Sequence, residues 1–258
     1  MQYAGLASGV KGRRNIYQNK RFLLLFDRIS RGRKVTASFI SSEIIPVLNQ
    51  GFVKSLYVIV PAAFFGLAFG IVLGTARAYG GPVLSGLAKG YVALFRGTPL
   101  VIQLMILYFG LPNIGIYLSP YTAATLGFIL CSAAYHCEYV RGGLVSIKKG
   151  QFLAAQALGL STVQALSAII IPQAFRKALP GCGNEIIYLI KYSSLAYIVT
   201  FIELTAEAKN LASRTFHFTE VFTIVGLYYL FLVTLATWLL HLLDKKLALP
   251  GFGQSSSQ

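Results

Sequence analysis

Twenty-two consecutive residues, Ser55 to Ala76, carry no charge: SLYVIVPAAFFGLAFGIVLGTA. A bilayer core about 30 Å thick takes about 20 apolar helical residues to cross, so this run reads as a membrane span. Composition supports that reading along the whole chain. Apolar residues make up 55% and charged residues 12%, and mean hydropathy is +0.65. A soluble globule has about 25% charged residues. The expected fold class is therefore an all-α integral membrane protein.

Further spans are expected at roughly 87–111, 120–140, 182–202 and 221–243, giving five transmembrane helices. Residues 35–54 read as a short interfacial helix, because Pro46 and the length argue against a span. Residues 203–219 read as a polar loop. In domain terms, 1–44 is a basic extension expected to be disordered, 45–246 the membrane domain and 247–258 a flexible tail. The one apolar run near the N-terminus, Phe22 to Phe26, is too short for a signal-peptide core.

Charge gives the orientation. With the segment 141–180 inside the cell, Arg77, Lys89, Arg141, Lys148, Lys149, Arg176, Lys177, Lys245 and Lys246 are all cytoplasmic. Nine of the 23 basic residues fall in the first 34 positions. Beside a membrane domain, such a cluster points to lipid or topology, and no nucleic-acid partner is expected.

Polar residues in the spans are the functional candidates, because polar groups at that depth are costly. Lys191, Tyr192, Ser193 and Ser194 are expected nearest a transported solute, with Gln103 facing them. The competing role for Lys191 is a helix–helix ion pair with Glu185 or Glu203, and Glu138 and Arg141 suit structural pairing. Gly66, Gly70 and Gly74 share one helical face and would admit a close neighbour. Cys131, Cys137 and Cys182 form no CxxC pair and read as packing residues, and His136, His217 and His241 lack metal-ligand spacing. No metal, cofactor or catalytic residue is expected. No Gly-x4-Gly-Lys-Ser/Thr loop cradles ATP phosphates, so the chain is not expected to be an enzyme.

The segment 138–180 is too polar to span and too patterned for a slack loop. Residues 151–158, QFLAAQAL, suit two helical turns, Gly159 suits a positive φ that ends them, and Ser161 suits the next N-cap. Leu153-Ala154-Ala155, three residues, Gly159, nine residues, Ile169, one residue and Ile171-Pro172 resemble the EAA motif of ABC importer permeases. Phe95-Arg96-Gly97-Thr98-Pro99-Leu100, Glu138-x-x-Arg141-Gly142-Gly143, Pro172-Gln173-Ala174 and Lys191-x-Ser193-Ser194-Leu195 are similar to the polar amino-acid permeases of that family over about residues 45–245.

The resemblance implies a type I ABC importer permease fold with a cytoplasmic coupling helix, placed in a prokaryotic inner membrane. It implies that Gly150, Gln151, Leu153, Ala154, Ala155, Ala157 and Gly159 meet an ABC ATPase subunit. Its implied partners are two ATPase subunits, an extracytoplasmic amino-acid-binding protein contacting chiefly 203–219, a second permease chain and membrane lipid. Leu153 stands where the family usually has Glu, which removes an acidic contact, and Ile171 stands for Leu. An ATP-independent transporter or channel is the alternative. Inverted repeats would favour it, and none is evident in the sequence.

Overall fold

The computed structural model describes residues 37–247. Most of the basic extension and of the tail, residues 1–36 and 248–258, lie outside those residues. Among the described residues the regular structure is helical throughout, in the order α1 (Ala37–Tyr79), α2 (Pro82–Gly97), α3 (Leu100–Ile114), α4 (Pro120–Val145), α5 (Lys149–Ala157), α6 (Thr162–Val199), α7 (Leu204–Thr215) and α8 (Phe218–Leu247).

The uncharged run at 55–76 lies within α1, which is much longer than expected. Its 43 residues extend roughly 65 Å at 1.5 Å per residue, about twice the hydrocarbon thickness. The stretch 35–54 is therefore no separate interfacial helix, and the helical domain starts by residue 37 rather than 45. Pro46 does not stop it because a wide π turn, Ile40–Ile44, directly precedes the proline. The same device recurs. The π turn Ile106–Gly110 precedes Pro112, and Leu166–Ile170 precedes Pro172. A wider turn relieves the clash between a proline ring and the carbonyl one turn back.

The expected span 87–111 is not one straight helix. It breaks at Thr98-Pro99, where α2 and α3 meet at 100°. Pro99 is extended, with φ −60° and ψ 133°, and has no N–H to carry the ladder onward. The Gln103 side chain pins this elbow. Its Nε2 donates to Phe95 O at 2.9 Å, Thr98 O at 3.0 Å and Thr98 Oγ1 at 2.9 Å.

The fourth expected span also differs. Helix α6 runs without a stop from Thr162 through Pro180 to Val199, so the central segment and the span are one rod. It ends where Thr200 turns left-handed, at φ 61°. The expected loop 203–219 contains α7. Glu203 caps that helix, accepting from Thr205 N at 2.7 Å and Ala206 N at 2.9 Å.

Helix α4 is the hub. It buries 14 of its residues, and α1, α2, α3 and α6 pack around it. By length and apolarity, α1 and α8 qualify as spans alone, while α2 with α3 and α6 with α7 qualify as bent pairs. Enclosed α4 has 26 residues, enough to cross, but meets protein on most sides and carries a less apolar sequence. With it the spans among the described residues number five. In lipid, close packing rather than water exclusion holds helices together, and small residues permit it. The glycine stripe of α1 does this against α4. A Cβ on Gly66 would lie 2.8 Å from Ser132 Oγ, one on Gly74 would lie 2.9 Å from Cys137 O, and one on Gly70 would collide with His136 Cβ. Cys131, Cys137 and Cys182 are free and buried, as packing residues should be.

At the far end of the molecule, the first turns of α1 pack on α7 and α8. Gly51 lies against the Leu204 backbone, Lys54 pairs with Glu207 at 2.5 Å, and Tyr228 donates to Asn49 at 2.7 Å. Phe39, Ile44, Leu48, Leu204, Ala208, Leu211, Val221 and Val225 form the cluster beneath.

Candidate functional site

Two regions collect the candidate residues, and α6 joins them. The first is the bend between α4 and α6. Helix α4 ends at Val145, α5 runs Lys149–Ala157, and Leu158 to Ser161 turn the chain into α6. Gly159 adopts φ +80°, as its position required. Its N–H donates to Gln156 O at 2.9 Å, and Leu160 N to Ala155 O at 3.1 Å, which closes the end of α5. Ser161 opens α6 with a capping box: its Oγ accepts from Gln164 N, and the Gln164 side chain accepts from Ser161 N at 2.9 Å. This turn is specified from both sides.

Its outer face is apolar. Leu153 is 62% exposed, Leu158 80% and Val163 74%. Gly150, Gln151, Ala154, Ala157 and Gly159 are exposed with them. Ala155 differs from expectation. It is buried inside the chain and seats α5. Leu153, the position lacking the usual acid, projects outward at the centre of this face.

Behind the bend, α4 and α6 are clamped. A Cβ on Gly143 would lie 2.5 Å from Ala174 O, and Lys177 Nζ donates to Ser146 O at 3.1 Å. Glu138 ties three helical sites, pairing with Arg77 of α1 and with Arg141 at 3.0 Å. The expected structural role of Glu138 and Arg141 holds, and Arg77 is a third member that sequence spacing did not reveal. A cavity of about 420 Å³ opens here between Glu138, Tyr139, Ser146 and Lys177.

The second region lies further along α6. Lys191 Nζ sits over the Tyr188 ring, 4.3 Å from its centroid. Tyr188 stacks on Tyr192 at 5.8 Å and 14°. Lys191 is exposed and pairs with neither Glu185 nor Glu203 among the described residues. Ser193 is buried and donates to Ile190 O at 2.8 Å, while Ser194 donates to Lys191 O at 2.7 Å. Both hydroxyl protons are thus committed to their own helix, leaving Lys191 and Tyr192 as the free groups of the set. Gln103 lies on α3, whose first turns pack against the Ser193–Val199 end of α6, and its Oε1 is buried without a hydrogen-bond partner. It is buried, and its amide protons hold the α2–α3 elbow.

Two further polar residues of the spans, Arg96 and Glu185, lie nearby. Arg96 lies over the Tyr135 ring, 4.9 Å from its centroid. Glu185 is 2% exposed, with one carboxylate oxygen unpartnered. Periodicity aligns Glu185 with Gly181, Tyr188 and Tyr192 on one stripe of α6, and Tyr135 with Ser132 and Tyr139 on one stripe of α4.

Comparison with known proteins bears on both regions. Residues 66–249 match the family described as binding-protein-dependent transport system inner membrane component. A probable amino-acid ABC transporter permease, YckA of Bacillus subtilis, is 39% identical over 206 residues, covering 80% of this chain and 91% of that protein. The glutamine transport system permease GlnP of Escherichia coli K12 is 34% identical over 205 residues, covering 79% and 94%. Among solved structures, an amino acid ABC transporter crystallised with histidines is similar at a TM-score of 0.76 and 29% identity, covering 82% of this chain and all of that one.

Proposed function

The chain belongs to the binding-protein-dependent transport system inner membrane components, as the permease subunit of an amino-acid ABC importer, and we propose that it moves polar amino acids inward by coupling to a separate ATPase through α5. The observation that carries the coupling is the continuity of one rod. Helix α6 begins one capped turn after α5 and carries the Lys191–Ser194 region toward its other end, Val199. A force on the exposed face of Leu153, Leu158 and Val163 is delivered through a stiff helix to the polar cluster.

In this reading ATP binding draws two ATPase subunits together and moves the α5 segments of two permease chains with them. An extracytoplasmic binding protein delivers the solute at the α7 end. Lys191, beside the stacked Tyr188 and Tyr192, meets the solute carboxylate. The energy that drives the change is the difference in α5 contact between the two states, since contacts equal in both would shift nothing. Leu153 in place of the family's acid makes docking depend on apolar shape rather than a salt bridge.

The test is uptake into proteoliposomes holding the permease, its ATPase and its binding protein. Labelled polar amino acids should accumulate only with internal ATP and binding protein together. Uptake by the permease chain alone would refute the reading and favour an ATP-independent carrier.

A further inference from the structure

Helices α4 and α6 face each other antiparallel, and one contact sets their register. A Cβ on Gly181 would lie 2.7 Å from the Tyr139 ring. One turn back along α4 is Tyr135, and one turn on along α6 is Glu185, so these two lie level across the seam. Ser132, one turn further on α4, lies against the Glu185 carboxyl. It also shares a 3.1 Å hydrogen bond with His136 Nδ1. Yet Glu185 Oε2 is buried and has no hydrogen-bond partner.

A buried carboxylate with an empty oxygen is costly, on the order of 1–3 kcal/mol and more when charged. Such a carboxyl either keeps its proton or takes a cation. Lys191 does not serve. It lies six residues on, roughly 9 Å along the helix and about 240° around it, and it is seated on Tyr188. Arg77 and Arg141 are taken by Glu138. Arg96 is left. Its charge already reaches Glu185, and its guanidinium rests on Tyr135, the residue level with Glu185.

The backbone under Arg96 is fixed, because Gln103 holds the carbonyls of Phe95 and Thr98 on either side of it. The side chain above is exposed and long. A cation–π seat at an exposed site stabilises by about 0.5–1 kcal/mol, less than a hydrogen-bonded ion pair supplies once water is excluded. Because Glu185 is buried, leaving the Tyr135 seat for its oxygen takes a shift between α2 and α6 that uncovers it.

We propose that Arg96 has two seats, the Tyr135 ring in the conformation described here and the free oxygen of Glu185 in the other, so that an Arg96–Glu185 ion pair forms and breaks with each transport cycle. This makes Arg96 and Glu185 a positioning pair that distinguishes the two states. It rests on the import cycle proposed above, and it uses the RGTP segment for its arginine rather than for its helix break alone.

The test is binding-protein-dependent uptake by the complete importer in proteoliposomes, with Arg96→Gln, Arg96→Glu, Glu185→Gln and the double Arg96→Gln/Glu185→Gln. Arg96→Gln should lower uptake about tenfold. Arg96→Glu should lower it at least tenfold further, because it sets two acids face to face. The double variant should be no slower than the slower single. Equal uptake for Arg96→Gln and Arg96→Glu would overturn the pair, as would losses that multiply in the double variant. Arg96 is exposed, so the Gln and Glu variants at that position decide the matter even if Glu185→Gln fails to assemble. An unmodified importer that takes up nothing would instead defeat the underlying reading.

Discussion

Gly159 isolates backbone conformation from packing. It has φ +80°, and a Cβ placed there would meet no atom within 4 Å. Any substitution acts through conformation alone within this chain. A left-handed residue other than Gly costs about 1–2 kcal/mol, with Asn the most tolerant. That turn joins α5 to α6 and is closed by the Gly159 and Leu160 amides. If a misformed turn leaves α5 unable to dock, 1–2 kcal/mol lowers the docked population about 5- to 30-fold. The expected order of uptake is therefore Gly, then Gly159→Asn, then Gly159→Ala, then Gly159→Val, with Val lowest because β-branching tolerates positive φ least. The assay is ATP-driven uptake in proteoliposomes, normalised to inserted permease. Insertion should be equal across the series. Asn as damaging as Val would refute the conformational argument, since size would then be the cause. Uptake unchanged in the Val variant would refute the role of the turn itself.

Three further outcomes follow from the packing. Gly70→Val drives its Cβ into His136 Cβ and should destabilise the detergent-solubilised protein by about 1–3 kcal/mol, read as a lower Tm, whereas Gly90→Val, in open space, should leave Tm unchanged. Glu138→Gln leaves Arg77 and Arg141 without their shared carboxylate and should lower Tm by an amount corresponding to about 1–3 kcal/mol, with Glu138→Asp recovering part of it. Gln103→Leu removes three hydrogen bonds at the α2–α3 elbow. It should raise protease cleavage near Thr98, because Gln103 Nε2 holds the backbone on both sides of the break.

How much the sequence disclosed depended on which physical signal each residue carries. The uncharged run 55–76 and the glycine stripe were legible because apolarity and helical period act locally. The extension of α1 back to residue 37 was not. Pro46, Asn49, Gln50 and Lys54 lower its apolarity, and their reason lies in partners distant in sequence: Tyr228 for Asn49 and Glu207 for Lys54. Helix α7 was hidden by its charges, although Leu204, Ala208, Leu211 and Ala212 kept a helical period on the buried side. The turn at Gly159-Leu160-Ser161 was read correctly because glycine and a capping serine report backbone geometry directly. Ala155 was misplaced because small size signals a close approach without saying which surface approaches. The elbow role of Gln103 was hidden for a similar reason. A buried amide announces that it must be satisfied, but its partners, the carbonyls of Phe95 and Thr98, appear only once the chain bends by 100°.

The central claim is that α5 carries force from an ATPase into α6. The direct measurement is site-specific cross-linking from single cysteines introduced at Leu153, Leu158 and Ala155 in the assembled importer. The native Cys131, Cys137 and Cys182 are buried and should stay silent. Cysteines at Leu153 and Leu158 should form heterobifunctional cross-links to the ATPase chain, with yields that change when ATP is trapped, and one at buried Ala155 should not. An importer that transports normally while neither exposed position cross-links to the ATPase would contradict the account.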